Sequence, residues 1–144
     1  MNIKRIFVDA NIIIDMFDKS RENCALANKV INYCVDKDID LYTSCDLVTT
    51  VYYILSKKDK KKALEDIKAA SNIFELVPFA NDDLNKAIYL MKENKKFKDL
   101  EDTLQYVLAK KYKYDLILTN DKNFNSPDIP TVTILQFLKK YKEK

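Results

Sequence analysis

Short apolar runs rich in β-branched residues alternate along this chain with stretches of helical spacing, and no two runs are joined by a hairpin signal. That order predicts a parallel sheet covered by helices on both faces. The runs are Ile3 to Val8, Leu41 to Thr43, Leu76 to Phe79, Leu116 to Leu118 and Val132 to Ile134, with Pro78 marking the third as an edge strand. Between them the spacing predicts helices over Asn11 to Phe17, Asn23 to Val35, Asp46 to Leu55 capped by Ser44, Lys60 to Phe74, a helix capped by Asn81 and running to Lys92, and one from Asp99 to Lys111. A last helix runs from Leu135 to Tyr141.

With 144 residues the chain supports one core, and residues 1–144 are expected to form a single domain. Cys24, Cys34 and Cys45 are odd in number, lack paired spacing and lie among apolar residues, which predicts buried, reduced thiols and a cytoplasmic protein. No leader and no membrane-spanning run is visible, so a membrane partner is not expected. Histidine and glycine are both absent. Their absence excludes Ser-His-Asp and Cys-His catalysis, a histidine zinc site, the phosphate-binding P-loop and the dinucleotide fingerprint.

What remains for chemistry is carboxylate. Asp9 closes the first strand, Asp99, Glu101 and Asp102 open the helix before the fourth, and Asp121 follows the fourth in Thr119-Asn120-Asp121. Ligands of an open parallel sheet bind beyond the carboxyl ends of its strands where strand order reverses, so Asp9 and Asp121 meet if their strands are neighbours. Asp99 and Asp102, three residues apart, can share a helix face. Carboxylates gathered in this way repel one another unless a cation lies between them, and oxygen ligands suit Mg²⁺ or Mn²⁺. Phosphoryl-transfer chemistry is the expectation. Lysine outnumbers acid from Lys57 to Lys68, Lys92 to Lys98 and Lys139 to Lys144, which is either a guide for a polyanion or a set of solvated faces.

Each acid also has a structural role open to it: Asp9 and Asp121 as caps or turn residues, Asp99, Glu101, Asp102 and Asp46 as first-turn acids, Asp15 as an exposed helix residue or one standing behind the site. Tyr52, Tyr53, Tyr89, Tyr106 and Phe137 fall at helical apolar spacing, as core or subunit interface.

Three segments, Ile6 to Asp15, Asp99 to Gln105 and Ile117 to Phe124, resemble in order and spacing the signatures of PIN-domain nucleases, above all the VapC-like toxins of bacterial toxin-antitoxin pairs. The resemblance implies a three-layer α/β fold with a central parallel five-stranded sheet flanked by helices, and cleavage of single-stranded RNA with Mg²⁺ or Mn²⁺. It matches Asp9, Asp102 and Asp121 to metal-site acids, Asp99 to an extra acid, and Asn11 and Thr119 to supporting polar residues. It also implies RNA, an antitoxin protein and a second copy of the chain as partners. One position departs: Thr50 stands where the family has a glutamate, and Asp46, four residues earlier, or Asp99 could compensate. Asn120 and Asn123 depart as well. The rival expectations are a catalytically degenerate module of the same fold that binds RNA or a protein, and a phosphatase or phosphoacceptor α/β domain with Asp9 as nucleophile, which the missing second acid in Asp9-Ala10-Asn11 and the lack of a glycine-based phosphate loop disfavour.

Overall fold

A computed structural model describes residues 2–142. Five strands, β1 (Arg5–Val8), β2 (Asp40–Ser44), β3 (Glu75–Val77), β4 (Leu116–Leu118) and β5 (Thr131–Val132), form one sheet in the order β3-β2-β1-β4-β5. Every pairing is parallel. Ile6, Phe7 and Val8 of β1 and all of β4 are fully buried, which requires cover on both faces. That cover comes from α1 (Ala10–Phe17), α2 (Cys24–Asp36), α3 (Cys45–Leu55), α4 (Lys60–Ile73), α5 (Asn81–Glu93), α6 (Leu100–Lys111) and α7 (Ile134–Phe137), the last continued by a π-helical turn over Leu138–Lys142. Most apolar side chains join one core; Ala87, Leu104 and Val107 form a smaller one where α5 meets α6.

The expected elements are all present, with boundaries shifted for identifiable reasons. β1 begins at Arg5 and not Ile3, because the Lys4 and Arg5 amides donate to the Asp115 carboxylate, both at 2.9 Å. β5 ends before Ile134 because Thr133 and Gln136 build a reciprocal cap that opens α7 there. β3 stops ahead of Pro78 and is an edge strand, as expected.

Two caps differ from expectation. Asn81 is already helical: Ala80 holds the cap position, and its N–H donates to the Asp83 carboxylate at 3.0 Å. Ser44 does stand at the cap of α3, but its hydroxyl donates to Asp46 at 2.5 Å instead of accepting a backbone N–H.

The cysteines are free. Only Cys34 is buried, with its thiol pushed up to about 12 by desolvation; Cys24 is half-buried, and Cys45, at the first position of α3, is exposed against expectation. Of the aromatic residues, Tyr106 and Phe137 are buried, whereas Tyr53 and Tyr89 are 63% exposed and belong to no core. Lys58 and Lys62 of the first lysine-rich stretch pair with Asp18 and Asp66, and Lys144 of the last lies outside the described residues. No described helix is long and apolar enough to cross a membrane.

Candidate active site

Strand order reverses at β1, whose successor β2 lies on one side and β4 on the other. Val8 stands in register with Leu118, so the residues that follow each strand emerge side by side. Asp9 ends β1 with its N–H donated to Leu118 O at 3.0 Å, and its carboxylate caps α1 through the Ala10 N–H at 2.7 Å. Thr119, just beyond β4, donates its hydroxyl to Asp9 Oδ2 at 2.8 Å and accepts the Asp121 N–H at 3.1 Å. One threonine thus ties the first acid to the last.

The third contribution comes from the first turn of α6. Asp99 is its cap, Oδ1 accepting the Asp102 N–H at 2.9 Å, so the structural role of this residue is real. Asp99, Asp102 and Asp121 line one cleft of about 330 Å³ together with Phe97, Lys98 and Asn123. Asp121 Oδ1 also accepts the Asn123 N–H at 2.9 Å. Asp9, 5% exposed, does not line this cleft and is joined to it through Thr119, which bonds both Asp9 and Asp121.

The acids also act on one another electrostatically. Burial, followed by repulsion from Asp9, Asp99, Asp121 and Glu101, pushes the half-buried Asp102 carboxyl up to about 7. Burial also raises Asp9, against the hydrogen bonds from Thr119, Gln105 and Ala10, with further repulsion from Asp121. Glu101, exposed as a whole residue, is raised by partial desolvation and then by Asp46, Asp9 and Asp99. Asp46 and Glu101, secondary in the sequence reading, are therefore neighbours of the acidic cluster. Asp15 is buried and paired with Arg21 at 3.2 Å, so it is not the exposed helix residue that was one of its two expected roles.

Sequence reasoning assigned no role to Gln105. It is 1% exposed, lies one turn beyond Asp102 on α6, and donates Nε2 to Asp9 Oδ1 at 3.2 Å. In the sequence it is a long polar side chain amid the apolar run Leu104 to Ala109, at the end of the segment Asp99 to Gln105 that resembles the family signature. Its Oε1, like Asn11 Oδ1, is buried without a hydrogen-bond partner.

Among the described residues no three acidic or thiol side chains are already grouped as a finished metal site. The donor set nevertheless suits a hard divalent ion: carboxylates that raise one another's proton affinity, and an Asp9 whose three accepted hydrogen bonds leave about one of its roughly four lone pairs free; the two orphaned amide oxygens lie on the helices that Asp9 and Asp99 cap.

Comparison with known proteins identifies the arrangement. The family model described as PIN domain matches residues 6–130. A protein named Ribonuclease VapC1 from Aquifex aeolicus (strain VF5) is 53% identical over 141 residues, 98% of each chain. Among solved structures, VapBC2 from Rickettsia felis bound to a fragment of promoter DNA superposes with a TM-score of 0.72 at 16% identity, over 90% of this chain and 98% of that one. Mycobacterium tuberculosis VapC20, described as a sarcin-ricin loop cleaving toxin, superposes with a TM-score of 0.69 at 15% identity, over 83% and 92%. At such identities the two structures speak for the fold, while the family match and the Aquifex relative speak for kinship: the chain belongs to the PIN domain family and, within it, to the VapC-like group.

Proposed function

We propose that this chain is an Mg²⁺- or Mn²⁺-dependent endoribonuclease that cleaves single-stranded RNA as the toxin of a toxin-antitoxin pair, working in the cytoplasm as a homodimer held in check by an antitoxin protein. The observation that carries the reading is the buried Asp9 at the sheet's switch point, coupled to Asp102 and Asp121 from two other segments. The Aquifex relative's name supports RNA as substrate, and the solved complex named VapBC supports an antitoxin partner.

Asp9, Asp102 and Asp121, assisted by Asp99, would hold the ion. A divalent cation in such a site supplies Lewis-acid activation of water and neutralisation of charge at the scissile phosphate. Thr119 orients Asp9 through Oδ2. In the cation-free chain burial and the neighbouring acids favour the protonated form of Asp102, and a bound cation would favour its ionised form instead. Lys98 gives the acidic cleft a cationic wall that favours the entry of a phosphate backbone.

The test is cleavage of a mixed single-stranded RNA pool with Mn²⁺ by the wild type and by Asp9→Asn. Asparagine caps a helix about as well as aspartate, so the variant should fold, with a metal-free melting temperature unchanged or a few degrees higher. Cleavage should fall by about 100-fold or more, because a first ligand is lost. Full activity in Asp9→Asn would remove Asp9 from the site. A wild type that binds metal and cuts no RNA would make the protein the degenerate binding module that the Thr50 departure allows.

A further inference from the structure

The three hydrogen bonds that Asp9 accepts are shared unequally between its oxygens. Oδ1 takes the Ala10 N–H at 2.7 Å and the Gln105 amide at 3.2 Å; Oδ2 takes the Thr119 hydroxyl alone, at 2.8 Å. A carboxylate oxygen offers two lone pairs, so Oδ1 is filled and Oδ2 keeps one. The Ala10 bond accompanies the aspartate's role as helix cap. Gln105 comes from elsewhere, reaching Asp9 across 96 residues of sequence.

Packing does not account for a glutamine there. The side chain is almost fully buried and its Oε1 has no partner, whereas leucine would fill similar space without an unsatisfied acceptor. The amide's orientation follows from Asp9: turned over, it would set Oε1 against Oδ1, acceptor against acceptor.

We infer that Gln105 is a positioning residue that makes Asp9 a one-point cation ligand, occupying Oδ1 so that only Oδ2 is offered. The inference rests on the metal-dependent reading above and deepens it to the choice of ion. Mg²⁺ demands a compact, nearly octahedral set of ligands, whereas Ca²⁺ accepts bidentate carboxylates in looser geometry. With Gln105 in place, Asp9 suits the smaller ion. Without that donor Oδ1 regains a lone pair, and Asp9 becomes able to chelate.

The experiment compares the full-length wild type with Gln105→Met, a swap that keeps volume and removes the donor. Calorimetric titration with MgCl₂ and, separately, CaCl₂ gives a ratio of dissociation constants for each protein. Gln105→Met should shift this ratio towards Ca²⁺ by about tenfold, within the span that outer partners of metal ligands control. An unchanged ratio in the folded variant overturns the inference.

Should Gln105→Met fail to fold, the side-chain amide resonances of Gln105 in otherwise native protein decide. They should move when Asp9→Asn removes the charge they face, and resonances that stay in place overturn the assignment. The nuclease reading fails separately: a wild type that binds Mg²⁺ but leaves the RNA pool intact discards the nuclease while a ratio shift still supports Gln105, and a wild type that binds neither ion overturns both.

Discussion

Asp102 concentrates the electrostatic strain of the cleft. Its carboxyl is pushed from the ordinary range near 4 up to about 7 by burial and by the surrounding acids. The sign of the consequence follows from linkage: between roughly pH 4 and 7 Asp102 binds more protons in the folded chain than in the unfolded one, so its contribution to cation-free stability falls as pH rises through that window and is level above it. Asp102→Asn removes this titration. In chelator, wild-type melting temperature should therefore drop more than that of Asp102→Asn between about pH 5 and pH 8; parallel profiles would show that Asp102 is not held among the other acids. Neutral Asn also relieves like-charge repulsion, so the variant should be the more stable of the two at the higher pH.

Among the elements, α3 carries the departure at Thr50, one turn beyond Asp46, whose charge reaches Glu101 at the start of α6. Thr50→Glu places an anionic oxygen on the same helix and should tighten Mn²⁺ binding by about tenfold, read by calorimetry; unchanged affinity in a folded variant would mean that this position does not face the acids. Helix ends make a second element-scale case. In a chain with no glycine, Asp38 after α2 and Lys113 after α6 adopt left-handed backbone, with φ of 56° and 57°. The turns close through Ile39 N–H to Cys34 O at 2.9 Å and Tyr114 N–H to Ala109 O at 3.0 Å, a geometry that glycine usually provides. Lys113→Gly should stabilise the chain by about 0.5–1 kcal/mol in denaturant melts, because it relieves the Cβ clash at positive φ. A loss of stability would assign Lys113 an interaction that outweighs this strain.

Considered whole, the molecule brings Asp9 and Asp121 together beyond the ends of neighbouring strands, so the proposed cation binding would be linked to folding. Binding to the folded state alone stabilises it by about 2.7 kcal/mol at a hundredfold excess over Kd. For a chain of this size that is a rise of roughly 5–10 °C in Tm. Mn²⁺ should produce this rise in the wild type and not in Asp9→Asn. RNA cleavage should also slow as salt increases, since the role proposed for Lys98 is to attract a polyanion through screened charge.

The alternation of short apolar, β-branched runs with helical segments, with no hairpin signal, was enough by itself to determine a parallel sheet, its five strands, and the position of Asp9 and Asp121 beyond strand ends. Those properties are local: which side chains are buried along a segment is written in its own periodicity. Strand order, and hence the meeting of β1 with β4, was decided by tertiary packing, and so was everything that depends on approach across the chain. Gln105 reaching Asp9, Asp46 standing near Glu101, and Asp102 shifted to about 7 are of this kind. A carboxylate's identity can be read from one residue, but its proton affinity and its free lone pairs are properties of the neighbours that folding brings to it, through desolvation, repulsion and hydrogen bonding.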